Sequence, residues 1–256
     1  MDRARQALPG NRYYAPGEER AEKVHSLFAR IAQRYDRIND LMSWGMHRRW
    51  KRRLVALAAP RDGEKALDLC CGTGDVARAL ASWPGGRRCE VTGLDFTEEM
   101  LELARRLTPA ALPVRFIQGD ALQLPFDEGS FEIVTCAYGL RNLADLGRGF
   151  NEAFRVLKPG GCFASLEFGR PENAFLRGLY IVYLRAVLPV FGRLFFRDPD
   201  TYGYIFASVT RFPGQRELAA RMREAGFDSV EVHDLMGGAM GICLARKIGP
   251  SRTTER

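Results

Sequence analysis

The sequence predicts an α/β fold in which a mostly parallel β-sheet is joined by crossover helices and ends with a reversed strand. Five short apolar runs between residues 65 and 168 alternate with helical stretches, which is the pattern of parallel strands connected by helices. The last two predicted strands are separated only by Met236, Gly237 and Gly238. That connection is too short for a crossover, so these two strands must be antiparallel.

The chain is long enough for one domain, and its two ends differ from the middle. It has 256 residues, of which 46% are hydrophobic, and this suits a single sizeable core. Residues 1–20 are predicted to form a flexible arm because prolines and glycines interrupt them. Residues 248–256 are predicted to be a disordered tail. The domain is therefore expected over residues 21–247.

Two helices are predicted before the sheet begins. Apolar side chains in Val24–Ile38 recur along one helical face. A second helix is predicted over His47–Ala58, with basic residues outward. The side chains expected to face inward from it are Trp50, Leu54 and Leu57.

The elements of the sheet follow in order. The first five predicted strands are Ala66–Cys71, Glu90–Leu94, Val114–Gln118, Phe131–Ala137 and Cys162–Phe168. The predicted helices among them are Val76–Ser82, Glu98–Leu107 and Leu143–Leu157. We expect Thr97 to cap the second of these helices, and Pro159, Gly160 and Gly161 to end the third. The remaining elements are the helix Gln215–Ala225 and the strands Val230–Leu235 and Ala239–Ala245.

Residues 170–212 interrupt this alternation and are predicted to be an inserted lid that contacts the substrate. The part from 175 to 196 is rich in Leu, Val, Phe and Tyr, and Pro189 argues against one straight helix. One interpretation is an amphipathic helix packed over the sheet edge. The other is a surface that contacts a membrane or a long apolar ligand. The arginines that lie on one side of this segment are Arg177, Arg185 and Arg193.

Charge and cysteine content narrow the class of protein. The 38 basic residues exceed the 31 acidic ones, and this net charge of +7 favours nucleic acid, anionic lipid or an acidic ligand as partner. The sequence has neither a secretory signal nor an apolar run long enough to span a membrane, so we expect a cytoplasmic protein. The six cysteines follow no disulfide framework and form no Cys-x-x-Cys pair. They are expected to be reduced and mostly buried, with no metal site.

The strongest local motif is a glycine-rich turn between the first strand and its helix. Gly72, Thr73 and Gly74 follow the buried strand, and the glycines let the backbone approach a ligand at the helix N-terminus. Asp95 ends the next strand, 23 residues after Gly72. That spacing places a carboxylate where it can bind both ribose hydroxyls of a nucleoside.

The same glycines also match a dinucleotide-binding fingerprint, so nicotinamide binding is a rival hypothesis. Asp68 lies inside the preceding strand, where it could bind an amino group rather than a pyrophosphate. Asp75 opens the helix and would repel a phosphate there. The reversed hairpin at the end of the chain is also not expected of a nicotinamide-binding fold. All three features favour a nucleoside without a pyrophosphate.

A third candidate site follows the third strand. Gly119, Asp120 and Ala121 lie at the same sheet edge as the glycine turn. A carboxylate or a backbone amide there could bind an adenine amino group. The alternative is a turn in which the aspartate only accepts hydrogen bonds from its own backbone.

These three strand ends and the reversed hairpin together resemble the class I S-adenosylmethionine-dependent methyltransferases, over residues 47–247. The resemblance implies a Rossmann-like sheet and S-adenosyl-L-methionine as cofactor. It also implies that Thr73, Asp95, Asp120 and Ala121 contact the cofactor, while Gly72 and Gly74 shape the turn.

Three further stretches resemble the ubiquinone/menaquinone biosynthesis C-methyltransferase family. They are Tyr35–Trp50, Tyr138–Asn142 and Arg155–Gly169. The Cys70-Cys71 form of the glycine turn is most similar to the menaquinone branch. This resemblance implies C-methylation of a polyprenylated quinol, with demethylmenaquinol converted to menaquinol. The alternative acceptor is the methoxy polyprenyl benzoquinol of ubiquinone biosynthesis.

Arg141 and Asn142 are the candidate catalytic residues, because they follow the fourth strand at the edge that faces the cofactor. A quinol carbon is strongly nucleophilic only when a ring hydroxyl ionises, and a fixed arginine stabilises the resulting phenolate. Asn142 could orient the hydroxyl or a water. Tyr35, Asp36 and His47 could close the pocket, and His47 is either a proton acceptor or a packed histidine.

The apolar prenyl tail implies transient contact with a membrane surface, since extracting it into water is unfavourable. We therefore expect a peripheral association with the inner face of the membrane and no nucleic acid partner. The sequence leaves open whether the chain forms a homo-oligomer. Two alternatives from other classes remain, namely an RNA methyltransferase and a non-catalytic cofactor-binding subunit.

Overall fold

The computed structural model describes residues 26, 28–29, 32, 39–40, 42–84, 89–187, 190 and 208–249. The predicted arm and most of the predicted helix over Val24–Ile38 lie outside these residues, as does the tail beyond residue 249. Tyr35, Asp36 and Arg193 also lie outside them.

The described chain folds as the predicted alternation of strands and helices. Its strands are β1 (Lys65–Leu69), β2 (Glu90–Asp95), β3 (Val114–Gln118), β4 (Phe131–Ala137), β5 (Leu157–Phe168), β6 (Ser229–Leu235) and β7 (Met240–Arg246). Its α-helices are α1 (Met46–Ala58), α2 (Asp75–Ala81), α3 (Glu98–Leu107), α4 (Leu146–Val156), α5 (Ala174–Val182) and α6 (Gln215–Glu224). A single turn of 3-10 helix covers Leu140–Asn142, and a π-helical turn covers Tyr183–Val187.

The seven strands form one sheet in the order β3-β2-β1-β4-β5-β7-β6. The pairs among β1 to β5 are parallel, whereas β7 is antiparallel to both β5 and β6. The predicted fold class is therefore confirmed. The reversed strand β7 is the last of the described strands along the chain, but it lies inside the sheet, between β5 and β6.

Both faces of the sheet are covered by helices, which explains the nearly continuous apolar strands. Residues of α1 and α2 form one cluster with side chains of β1, β2, β4, β5 and β7. Residues of α4 and α6 form another cluster, centred on Phe150 and Phe163. All six cysteines are free thiols, and four of them are buried, as predicted.

Several predicted boundaries were wrong for local reasons. The helix predicted from Leu143 begins at Leu146, where Asp145 caps it by accepting a hydrogen bond from the Arg148 N–H at 3.0 Å. That helix ends before Pro159 is reached, because β5 already starts at Leu157. Strand β1 stops at Leu69 because Cys70 adopts a left-handed conformation, φ 53°.

Two predicted side-chain positions also need correction. Thr97 does stand at the N-cap of α3, but its side chain makes no capping hydrogen bond. Not every basic residue of α1 faces outward, since Lys51 is buried. Its Nζ lies 3.1 Å from Asp75 Oδ2, and this ion pair compensates the burial.

No helix within the described ranges is both long and apolar enough to cross a membrane.

Candidate active site at the carboxyl ends of the strands

The glycine turn after β1 adopts the conformation that the sequence predicts. Gly72 and Gly74 have φ values of 54° and 82°, which favour glycine. A Cβ at Gly74 would also come within 2.8 Å of the Phe116 ring. Only glycine therefore fits at position 74 without backbone strain or a shift of the Phe116 ring.

Asp95 ties the glycine turn to the end of β2. One carboxylate oxygen accepts a hydrogen bond from the Gly72 N–H at 2.8 Å, and the other accepts one from the Thr97 N–H at 2.9 Å. Burial raises the pKa of Asp95 above its usual value, while these two N–H groups act against the rise. Each oxygen retains a lone pair that could accept from a sugar hydroxyl.

Asp120 accepts a hydrogen bond within its own turn and also lines the pocket that Asp95 lines. One of its oxygens accepts a hydrogen bond from the Leu122 N–H at 2.9 Å, so the turn interpretation of this aspartate is correct. Asp120 is also exposed and lines the pocket next to Ala121. The two interpretations are therefore compatible, because a carboxylate can accept several hydrogen bonds.

The pocket between these loops is acidic at its polar positions and apolar elsewhere. The ends of β1, β2, β3 and β4 all contribute to it. Asp95 and Asp120 are its acidic side chains, and no lysine or arginine lines it among the described residues. A cationic sulfonium nucleoside fits this environment, whereas a pyrophosphate would lack a cation. The apolar lining includes Leu94, Phe96, Met100, Ala121, Leu122 and Leu143.

Asp75 does not present an unpaired negative charge at the start of α2. Asp75 was expected to repel phosphate at the start of α2. Its carboxylate instead pairs with Lys51 at 3.1 Å and with Arg78 at 2.5 Å. Burial alone would raise the pKa of Asp75, but these two cations hold it below the usual value. The acidic pocket lining is therefore the stronger argument.

Asp68 is enclosed inside the sheet rather than exposed at the turn. It is buried, and one carboxylate oxygen accepts a hydrogen bond from the Thr135 hydroxyl at 2.7 Å. Burial raises its pKa to about 7, although the Thr135 bond and the charge of Lys51 oppose the rise. A direct contact of Asp68 with a ligand amino group remains a prediction.

Arg141 is buried at the end of β4 and pairs with a buried acid that the sequence analysis missed. Its Nη1 lies 3.5 Å from Glu167 Oε2, and its backbone N–H donates to Glu167 Oε1 at 3.4 Å. The guanidinium also donates to the Tyr138 carbonyl and lies 5.1 Å from the centre of the Phe168 ring. Burial raises the pKa of Glu167, and Arg141 counteracts this.

Asn142 reaches the acidic pocket, together with Tyr138 and Gly139. Its Nδ2 donates to the Tyr138 carbonyl at 3.4 Å, the same oxygen that Arg141 binds. Arg141 lies on the other side of this turn, where it lines a second cavity with Ser208 and Arg211. The two candidate catalytic residues therefore flank one backbone turn between the pocket and the segment that carries α5.

The remaining predicted site residues do not line the acidic pocket, namely His47, Gly72, Thr73 and Gly74. Thr73 is buried, and its carbonyl accepts a hydrogen bond from Arg78 at 2.7 Å. His47 is buried with its Nε2 2.8 Å from Asp40 Oδ1, and burial lowers its pKa. These contacts favour the packed-histidine interpretation. A role for Thr73 at the cofactor stays a prediction.

The seven-stranded sheet with β7 reversed, the glycine turn and the acidic pocket define a class I S-adenosylmethionine-dependent methyltransferase. Solved structures share this fold. A chain from the complex of the Haloferax volcanii Trm112 methyltransferase activator with a methyltransferase is 21% identical, with a TM-score of 0.65, over 87% of this chain and 98% of that one. An S-adenosylmethionine-dependent methyltransferase from Thermotoga maritima is 22% identical, with a TM-score of 0.63, over 87% and 99%.

The family follows from sequence comparison. The model of the ubiE/COQ5 methyltransferase family matches residues 17–247. The demethylmenaquinone methyltransferase of Staphylococcus aureus strain JH9 is 40% identical over 235 residues, which are 91% of this chain and 96% of the relative. The same values hold for the protein of strain Newman. The chain belongs to the ubiE/COQ5 methyltransferase family, and the predicted resemblance is confirmed.

Proposed function

We propose that this chain transfers the methyl group of S-adenosylmethionine to a ring carbon of a polyprenylated quinol, with demethylmenaquinol as acceptor and menaquinol as product. The observation that carries the proposal is the buried Arg141 on a turn whose other side, with Asn142, lines an acidic nucleoside pocket. The name of the 40% identical relatives supports this choice of acceptor.

The cofactor would be held by residues at the carboxyl ends of β1, β2 and β3. Asp95 would bind the ribose hydroxyls, and Asp120 with Ala121 would bind the adenine. Gly72, Thr73 and Gly74 would form the wall beside the methionine part. When bound, S-adenosylmethionine supplies an electrophilic methyl group. The chain must align the acceptor with it and exclude water, and such alignment can supply about 7–11 kcal/mol.

Arg141 would stabilise the ionised acceptor. A phenol hydroxyl has a pKa of about 10, so a quinol is mostly un-ionised near neutral pH. An arginine stays charged and cannot act as a base there. The guanidinium lies next to Glu167 and the Phe168 ring, at the turn shared with the pocket. Asn142 would orient the ring hydroxyl, or a water that accepts its proton.

Helix α5 would contact the membrane from which the prenyl chain is taken. Its side chains Phe175, Leu179 and Val182 are 73%, 54% and 61% exposed. The Arg177 guanidinium donates hydrogen bonds to the carbonyl oxygens of Pro171 and Glu172, just before the helix begins. It is therefore held against the protein and does not project towards a membrane. Membrane contact therefore rests mainly on the apolar side chains of α5, in support of the second interpretation of this segment.

The function is tested with purified protein, S-adenosylmethionine and demethylmenaquinol kept reduced. We expect a product heavier by one methyl group, detected by mass spectrometry. Loss of a preorganised charge typically lowers kcat by about 10²–10³-fold, and we expect this for Arg141→Ala. The exposed Arg106→Ala is the matched control and should leave kcat unchanged.

Three results would contradict the proposal. Methylation of the benzoquinol but not of the naphthoquinol would assign the other acceptor. Methylation of RNA with salt-sensitive RNA binding would assign another class. Tight binding of the cofactor without turnover on either quinol would indicate a non-catalytic subunit.

A further inference from the structure

The hydroxyl group of Tyr180 is buried without a hydrogen-bond partner among the described residues. Tyr180 lies on α5, six residues after Ala174, where the helix begins. A buried tyrosine hydroxyl usually finds a partner, because leaving it unpaired costs free energy. Such a group points to a ligand that supplies the missing acceptor.

The surroundings of Tyr180 connect it to the methyl-transfer site. It packs in one cluster with Phe168, Leu184 and Val209. The Phe168 ring contacts the ring of Tyr138, with centroids 5.8 Å apart, and Tyr138 lines the acidic pocket. Phe168 and Tyr138 therefore connect the cluster that contains Tyr180 to the acidic pocket.

The charge environment of Tyr180 defines what its hydroxyl can bind. Arg141 lies over the same Phe168 ring, and Glu167 pairs with Arg141. Burial raises the pKa of Tyr180, and the positive charge of Arg141 only partly opposes the rise. The phenol therefore stays protonated and acts as a hydrogen-bond donor beside a cation. A donor and a cation together stabilise an oxygen on which negative charge develops.

We propose that Tyr180 is a substrate-binding residue whose hydroxyl donates a hydrogen bond to the quinol oxygen next to the carbon that receives the methyl group. This inference rests on the proposed function and adds a second group to the site of Arg141. No proton is transferred to or from Tyr180. The hydroxyl holds the oxygen while Arg141 stabilises its charge, and α5 thereby couples the position of the ring to that of the prenyl chain.

The test compares Tyr180→Phe with Tyr183→Phe, a matched control on the same segment. The Tyr183 hydroxyl already donates to the Met42 carbonyl at 2.7 Å. Two redox-stable prenylnaphthols serve as probes, each lacking one oxygen of the demethylmenaquinol ring. The first keeps the hydroxyl next to the free ring carbon, and the second keeps only the hydroxyl next to the prenyl-bearing carbon. Binding is measured by calorimetry with S-adenosylhomocysteine present.

For Tyr180→Phe we expect the first probe to bind about 3- to 10-fold more weakly, which is the usual range for one lost hydrogen bond. The second probe should bind as it does to the unaltered protein. Tyr183→Phe should change the binding of neither probe. In the free protein, Tyr180→Phe should leave the urea midpoint unchanged or raise it, whereas Tyr183→Phe should lower it, since only Tyr183 loses a hydrogen bond.

The outcomes separate the two proposals. If the unaltered protein methylates demethylmenaquinol but Tyr180→Phe binds both probes normally, the role of Tyr180 is wrong. Equal weakening of both probes, or a lowered urea midpoint for Tyr180→Phe, would assign the hydroxyl a packing role and also overturn it. If the unaltered protein methylates no quinol, the proposed function itself fails.

Discussion

The two sides of the turn after β4 are built differently. On the proposed cofactor side, Asp95 and Asp120 already accept hydrogen bonds from backbone N–H groups, at 2.8 to 2.9 Å. On the side of α5, the Tyr180 hydroxyl has no partner within the described chain, and Phe175 and Val182 are exposed. The cofactor side is thus preorganised by the polypeptide itself. In the proposed function, a quinol completes the α5 side by supplying an apolar body and a ring oxygen.

The largest expected effect tests the buried charge on the α5 side. Glu167→Ala leaves Arg141 buried without its carboxylate, and such a loss typically costs about 3–5 kcal/mol of unfolding free energy. Urea unfolding measures it. The exposed pair of Glu98 and Arg105, 2.6 Å apart, supplies the control, since Glu98→Ala should cost less than about 1 kcal/mol. Equal costs for the two variants would show that Arg141 is not held by Glu167.

The second effect concerns Asp68 on the cofactor side. Burial raises the pKa of Asp68 to about 7 from the usual 3.8, so folding favours the protonated acid. The contribution of the protonated Asp68 to the unfolding free energy is fully present below pH 4 and is lost as the pH rises through 7. As the pH rises from 5 to 8, we expect the unfolding free energy of the protein to fall by about 3 kcal/mol because of Asp68.

Asp68→Asn should remove this loss, because an amide does not titrate. The measurement is urea unfolding of both proteins at the two pH values, and the difference between the proteins isolates Asp68. An unchanged pH dependence in the variant would mean that Asp68 is ionised in the folded protein.

A smaller effect is expected for Asp95→Asn. An amide nitrogen cannot accept from the N–H groups of Gly72 and Thr97, so one of these bonds is lost. The same carboxylate is proposed to bind the ribose hydroxyls. Because hydrogen bonds to charged groups contribute about 1.5–3 kcal/mol, the affinity of Asp95→Asn for S-adenosylhomocysteine should fall about 10- to 100-fold. Calorimetry measures it, with the exposed Asp127→Asn as control. If both variants bind alike, Asp95 does not hold the nucleoside.

The smallest effect on stability is expected for Leu179→Ser on α5. This side chain is 54% exposed, so the unfolding free energy should change by less than about 0.5 kcal/mol. Flotation with vesicles that contain anionic lipid should nevertheless decrease relative to the unaltered protein. Flotation that is absent in both proteins would exclude α5 as a membrane contact.

The sequence was sufficient for the strands and for the glycine turn beside Asp95, because both depend on short-range patterns. Apolar runs identify β1 to β5. The two glycines of the turn predict its left-handed backbone conformation, and the position of Asp95 at the end of β2 predicts that it lies beside the turn. Glu167 was missed because it lies in an apolar strand and its partner Arg141 is 26 residues away. Lys51 was placed outward for the same reason, since Asp75 is 24 residues further along the chain. Ion pairs between residues so far apart in the sequence form only when the order of the strands and helices brings them together, and local sequence patterns do not predict that order.

The insertion of β7 between β5 and β6 has a consequence for biosynthesis. Every residue of β7 except Arg246 is buried, and the strand hydrogen-bonds on both edges. A nascent chain that ends before Met240 has an open edge at β5 and leaves β6 without a neighbour. Unpaired strand edges invite association with other chains. This half of the sheet can therefore close only after Met240–Arg246 has been synthesised and has left the ribosome.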